Sequence, residues 1–296
     1  MSNINKRLVI KLAGAAGQGI KTAGLIIAKA LKRAGYMTFG YTEYPSLIRG
    51  GHNVYQIEVY DEVKSSVSSE TDILLALDQA SIEKHYLEMT NTGAIIYDEN
   101  AVIISAEVKE KLLQKNVAIY PIKLTDEAKN AGGNVLMKNT VALGCLWKVL
   151  RLELSQIKPL IEETYDKSKE MIETNIKCLE AGFNNIKPQN DFAINLTSKE
   201  IFKDNIFITG NEAIALGAIS AGVRLYVSYP MTPASSILGY LAEEGPKYGM
   251  VVKQTEDEIT AATMAIGAAH GGTRVMCGTS GGGFDLMTEA LSLSGM

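Results

Sequence analysis

Tyr229-Pro230-Met231-Thr232-Pro233-Ala234-Ser235-Ser236, Gln254-Thr255-Glu256-Asp257-Glu258 and Thr279-Ser280-Gly281-Gly282-Gly283-Phe284 are the three stretches whose reading decides the fold of this 296-residue chain. Each follows a short run that reads as a strand, at Leu225 to Tyr229, Met250 to Gln254 and Arg274 to Gly278. Each also precedes a helical pattern, so the three turns are expected at the carboxyl ends of three strands. In an open parallel sheet those ends form the rim where ligands bind. A hydroxyl-rich turn, a carboxylate pair and a glycine turn are therefore expected to converge there.

Each turn also has a plainer reading. Pro230 and Pro233 bracket Met231-Thr232, which stiffens the turn and aims the Thr232 hydroxyl; the plain alternative is a strand-to-helix connection with Ser235 as N-cap. Thr255 and Glu258 have the spacing of a capping box, in which both side chains only satisfy helix-end donors. Glu256 and Asp257 read most simply as first-turn acids facing a helix dipole. Ser280 to Gly283 form either an anion-binding nest or a tight turn.

Upstream, a strand at Ile206 to Thr209 is expected to open this domain, followed by a helix of small residues from Ala213 to Gly222. The polar segment 184–204, with Pro188 and few apolar residues, reads as a linker. Before it lie amphipathic helices at Ser155 to Tyr165 and Lys167 to Ala181, and a helix from Thr140 to Leu150 that is apolar almost all round and so expected to be buried.

The N-terminal half opens with a strand, Leu8 to Leu12, running into Gly14-Ala15-Ala16-Gly17-Gln18-Gly19 and a helix from Ile20 to Arg33, the start of a doubly wound α/β fold. A glycine turn at a helix N-terminus frees N–H groups for a phosphate. The spacing is G-x-x-G-x-G, however, neither the dinucleotide fingerprint nor a P-loop, so a tight turn that simply packs helix on strand is the leading reading. After a short strand at Met37 to Tyr41, Arg49 beside Gly50 and Gly51 offers a guanidinium and bare backbone to an anion; its bland alternative is a solvated arginine on a flexible turn. His52 has no partner at metal-ligand spacing and reads as structural. An alternating strand from Val54 to Tyr60 follows, and strands at Ile73 to Leu77, Ala94 to Tyr97 and Val117 to Tyr120 complete the sheet.

Composition narrows the function classes. With 46% hydrophobic and 21% charged residues the chain is an ordinary globular protein,. A net charge of -4 argues against a nucleic-acid partner,. No apolar run approaches a membrane span, and Lys11 breaks the N-terminal apolar run, so a cytoplasmic location is expected. The three cysteines, Cys145, Cys178 and Cys277, make no ligand-spaced pair and read as apolar fillers,.

Taken together, the motifs resemble those of the 2-oxoacid:ferredoxin oxidoreductases. The run 229–236 is similar to the family's Y-P-I-T-P-S-S motif, with Met231 and Ala234 as departures expected to affect packing rather than chemistry. The run 258–283 looks like the family's pyrimidine-binding domain for thiamine diphosphate, and the first glycine turn with Arg49-Gly50-Gly51 looks like its gamma domain. The order resembles the fused large subunit of the 2-oxoglutarate type. It implies a Rossmann-like gamma domain over 1–183, a linker over 184–204, and over 205–296 the first part of a pyrimidine-binding α/β domain.

That resemblance implies coenzyme A-dependent oxidative decarboxylation of a 2-oxoacid, 2-oxoglutarate first, with electrons passing to ferredoxin. Glu258 matches the glutamate that hydrogen-bonds the aminopyrimidine ring of thiamine diphosphate, and Thr232 the residue that hydrogen-bonds substrate. Cofactor contacts are expected at Ser280, Gly281 and Gly282, and substrate contacts at Tyr229, Pro230 and Thr232. Arg49 is assigned to coenzyme A or substrate. No metal ligand is assigned to this chain; Mg2+ and a [4Fe-4S] cluster are expected on a partner beta subunit, in a heterodimer or a dimer of heterodimers. The chain stops mid-helix at Met296, so a fragment of a longer subunit with an open sheet edge is expected. Two other classes stay open: a dinucleotide-dependent oxidoreductase, from the first glycine turn, and a non-catalytic assembly subunit.

Overall fold

The computed structural model describes residues 7–43, 51–64, 66–166, 168–189 and 195–296. The chain divides into two compact units, Met1–Asn205 and Ile206–Met296.

The first unit runs β1 (Arg7–Ala15), α1 (Ile20–Arg33), β2 (Met37–Glu43), β3 (His52–Tyr60), β4 (Thr71–Ala76), α2 (Gln79–His85), β5 (Met89–Asp98), α3 (Ala106–Gln114), β6 (Ala118–Ile122) and α4 (Leu124–Asn130). It continues through α5 (Lys138–Val149), α6 (Lys158–Thr164), α7 (Lys169–Asn185) and α8 (Glu200–Lys203). Six strands form one sheet in the order β2-β3-β1-β4-β5-β6. From β1 to β6 it is the parallel, helix-crossed sheet expected of a doubly wound fold. On the other side β3 lies antiparallel to both β1 and β2. The connection from β2 to β3, residues 44–51, is too short for the crossover that parallel neighbours need.

The β3 pattern was expected to alternate between core and solvent, but the strand is buried along most of its length. Its polar residues survive burial because they satisfy one another: Glu58 Oε1 accepts from Gln56 Nε2 and from the Ser68 N–H, both at 2.7 Å,. The all-round apolar helix is α5, and it is buried almost completely. It packs on α7 with backbones nearly touching; a Cβ built on Gly182 would lie 1.9 Å from the Val141 carbonyl oxygen. The expected helix at 155–165 is shortened to α6, with Pro159 in its first turn,. The segment read as a linker packs on the first unit where it is described. Gln189 donates its N–H to Tyr120 Oη at 2.9 Å, Lys199 N–H reaches Gly35 O at 2.7 Å, and Phe202 of α8 is buried.

The second unit runs α9 (Gly210–Ser220), β7 (Leu225–Ser228), α10 (Ser235–Glu244), β8 (Val251–Gln254), α11 (Glu258–His270), β9 (Val275–Gly278), α12 (Gly282–Leu286) and α13 (Thr288–Ser294). Its three strands are parallel in the order β8-β7-β9. The strand expected at Ile206 to Thr209 does not form: no strand pairs with it among the described residues, and Ile206 is 74% exposed. Thr209 instead caps α9 in a capping box with Glu212,. Alanines of α9 and α11, among them Ala215 and Ala261, are buried against the rest of the unit and allow close packing.

No helix among the described residues is long and apolar enough to cross a membrane.

Candidate functional site

The three quoted turns leave the carboxyl ends of β7, β8 and β9, and the parallel pairing carries all three to one edge of the sheet,. Buried Ser228, the last residue of β7, ties two of the strand ends together: its Oγ donates to Gly278 O at 2.7 Å. The third is fixed by the Thr255 N–H, which donates to Ser228 O at 3.1 Å.

At the β8 turn the local sequence leaves the cap open to competition. Asp257, not Thr255, caps α11; its side chain accepts from the Thr260 N–H at 2.7 Å. That N–H, with the Thr260 hydroxyl and then the Ile259 N–H, holds the Asp257 carboxyl below its usual range,. Thr255 Oγ1 is occupied with Asp257 O at 2.9 Å. The capping box with Glu258 therefore does not form, and Glu258 is left at the first helical position with its carboxyl turned to other neighbours.

Glu258 is 4% exposed. Its Oε1 lies 3.4 Å from Thr279 Oγ1, its one hydrogen-bond partner among the described residues. Oε2 makes no such bond and is not among the sealed, unpartnered polar atoms, so it stays open to a ligand. A carboxylate so buried needs compensation. The N-terminus of 13-residue α11 supplies part of it through the helix dipole,.

The β7 turn carries Tyr229, Pro230 and Thr232, all exposed, with a cis peptide between Thr232 and Pro233. Side chains hold its carbonyls: Ser280 Oγ donates to Thr232 O at 2.7 Å, and Asn211 Nδ2 to Pro233 O at 2.8 Å. The Thr232 hydroxyl makes no hydrogen bond among the described residues and is left for a ligand. Ser235 does not cap α10; Ala234 takes that position without a side-chain bond. The β9 turn places Gly281 at a φ of 52°, and Gly281 and Gly282 are exposed with open space where side chains would stand. Gly283 differs: a Cβ there would meet Thr279 Oγ1 at 2.2 Å and Glu258 Oε1 at 2.4 Å.

Of the expected residues, Ser280 and the Thr232 turn are brought into direct contact, while no hydrogen bond joins Glu258 to Thr232. Arg49 lies outside the described residues. The sequence assigns no site role to Thr279 or Asn211, and to Gly283 only a place at the end of the nest turn. Thr279 had a signal, being the hydroxyl residue that precedes Ser280 at the strand end; Asn211 had none, because its partner is 22 residues away.

In the first unit, Gly17 and Gly19 adopt positive φ, and Gly19 stands at the N-cap of α1. The turn lines a cavity of about 230 Å³ shared with Asn139, Thr140, Tyr165 and Asn175. Asn139 Nδ2 donates to Gln18 O, which ties the turn to α5. His52 has a partner that spacing did not show: its Nε2 meets His85 Nε2 at 2.8 Å, and His85 Nδ1 meets Glu88 Oε2 at 3.0 Å.

The description "Pyruvate ferredoxin/flavodoxin oxidoreductase" matches residues 9–185, and "Pyruvate flavodoxin/ferredoxin oxidoreductase, thiamine diP-bdg" matches 216–296. The 2-oxoacid:ferredoxin oxidoreductase subunit alpha of a Sulfolobus species is 30% identical over 98% of this chain and 52% of its own length. The 2-oxoglutarate synthase subunit KorA of Methanocaldococcus jannaschii is 46% identical over 30% of this chain and 25% of its own. Among solved structures, the 2-oxoglutarate:ferredoxin oxidoreductase from Magnetococcus marinus, with 2-oxoglutarate, coenzyme A and succinyl-CoA bound, superposes with a TM-score of 0.84. It is 29% identical, over 96% of this chain and 49% of that one. The chain thus spans about half the length of relatives that match it from end to end.

Proposed function

The chain belongs to the pyruvate ferredoxin/flavodoxin oxidoreductase family, and from that premise we propose that it acts in coenzyme A-dependent oxidative decarboxylation of a 2-oxoacid, 2-oxoglutarate first, with ferredoxin as electron acceptor. The observation that carries this reading is Glu258: a buried carboxylate, released from helix capping by Asp257, with one oxygen free at the rim of three strand ends.

Those residues fit thiamine diphosphate. A single free carboxyl oxygen suits one ring nitrogen, and open Gly281 and Gly282 leave room beside it. When bound, the cofactor supplies the nucleophilic carbon and electron sink that a 2-oxoacid needs to lose carbon dioxide. Glu258 holds and moves the proton at the aminopyrimidine ring through Oε2. The rest of the side chain is buried, which lowers the local dielectric and strengthens the bond that this open oxygen makes,. The exposed Thr232 hydroxyl, on a turn pinned through its own carbonyl, hydrogen-bonds the substrate, with Tyr229 and Pro230 forming the adjoining wall. Ser280, Gly281 and Gly282 complete the cofactor side. Arg49 contacts coenzyme A or substrate. Mg2+ and a [4Fe-4S] cluster belong to a partner beta subunit, with which this chain forms a heterodimer or a dimer of heterodimers in the cytoplasm.

The test is anaerobic viologen reduction by the full-length subunit co-expressed with its partner, with coenzyme A and each 2-oxoacid in turn. Reduction should require coenzyme A, prefer 2-oxoglutarate, and fall at least about 100-fold in Glu258→Gln, the scale of a lost proton-transfer group. No reduction with any 2-oxoacid, from a complex holding thiamine diphosphate and iron, would refute the reading. A stable complex whose turnover ignores Glu258→Gln would favour an assembly subunit.

A further inference from the structure

A glutamate that handles a proton has to hold its carboxyl in one place, and three rotatable bonds separate that carboxyl from the backbone. Burial at the start of α11 restricts those bonds without selecting one orientation. The selecting contact comes from a different strand end. We propose that Thr279 is the positioning residue of Glu258 and that, with Ser280, it forms a two-hydroxyl clamp setting the acid and the Thr232 turn against each other; this rests on the reading of Glu258 given above.

Three observations carry it. Thr279 Oγ1 is the hydrogen-bond partner of Glu258 among the described residues, and it reaches Oε1 while Oε2 stays free, so the bond orients the carboxyl without consuming it. At 3.4 Å the contact is long, as catalytic hydrogen bonds are before a ligand closes the site,. Next along the chain, Ser280 Oγ donates to Thr232 O at 2.7 Å. Two consecutive hydroxyls at one strand end thus hold the turns of the two other strands. Finally, the space beside both oxygen atoms is reserved: a Cβ on Gly283 would stand 2.2 Å from Thr279 Oγ1 and 2.4 Å from Glu258 Oε1. Position 283 accepts no side chain unless the pair moves.

The experiment uses the full-length subunit with its partner and compares Thr279→Val, which keeps the shape and removes the donor, with Thr279→Ser, which keeps the donor. Each is made alone and together with Glu258→Gln. Two quantities are read: kcat in dye reduction, and the dissociation constant of thiamine diphosphate with Mg2+ by fluorescence titration. Thr279→Val should lower kcat about tenfold and weaken cofactor binding several-fold, the scale of one hydrogen bond to a charged group, with Thr279→Ser close to the parent. In the Glu258→Gln background Thr279→Val should add almost nothing to either loss, because the two residues act as one unit. Equal damage from Val and Ser, or a full additional loss in the Glu258→Gln background, would overturn the proposal and leave Thr279 a packing residue. If Glu258→Gln by itself changed neither quantity, the role of Glu258 would fail first, and the single variant shows that separately.

Discussion

Residue 258 illustrates how a local rule yields to its neighbour. Thr255 and Glu258 carry capping-box spacing, but Asp257 stands one residue before the helix, where a short carboxylate reaches the Thr260 N–H directly,. Once Asp257 has the cap, the longer Glu258 side chain has no helix-end donor to serve and turns to Thr279. The same residue scale explains Gly283, whose absent side chain makes room for that pair. Gly283→Ala is expected to cost about 1–3 kcal/mol of stability through overpacking, and to lower dye-reduction turnover with it. Urea unfolding of the variant beside the parent checks the first, and a parent-like midpoint with parent-like turnover would show that Glu258 and Thr279 move aside freely.

Elements meet at the histidine pair, where the start of β3 touches the end of α2. With both rings neutral, His85 Nδ1–H donates to Glu88, His85 Nε2 accepts from His52 Nε2–H, and His52 Nδ1 is left buried and without a partner. Burial, and then the neighbouring His85, lower the His52 pKa from 6.5 to about 4; Lys84 and Lys11 add to the shift and Asp78 opposes it. The sign follows from proton counting. Between about pH 6.5 and 4 the unfolded chain binds a proton at this position that the folded chain refuses, so stability falls as the pH drops through that window,. Urea midpoints measured at pH 7.5 and at pH 5 should differ less in His52→Gln than in the parent. An unchanged pH dependence would show that the pair does not report on folding.

For the molecule as a whole, the second unit exposes several large apolar side chains. Ile259, Met264, Phe284, Leu286 and Leu291 are all exposed, and β8 and β9 are the outer strands of a three-stranded sheet. Apolar patches and open edges of this kind promote association. The chain of 296 residues should therefore self-associate as its concentration rises in sedimentation velocity, and Ile259→Lys with Leu286→Lys should suppress it. A concentration-independent monomer would contradict this.

The sequence by itself determined the three strand-end turns, the buried α5 and the glycine turn of the first unit, because periodicity and turn chemistry act over a few residues. It also carried the family resemblance, whose motifs are short and contiguous. Only the tertiary structure decided the rest. Local propensity at Ile206 to Thr209 found no strand to pair with and made no strand, while β3 gained antiparallel neighbours on both sides and was buried on both faces. Asp257 won a cap that spacing had offered to Thr255 and Glu258. His52 acquired His85, and Glu258 acquired Thr279, 21 residues further along the chain. Partners that distant are chosen by how strands and helices pack, and no local pattern encodes the choice.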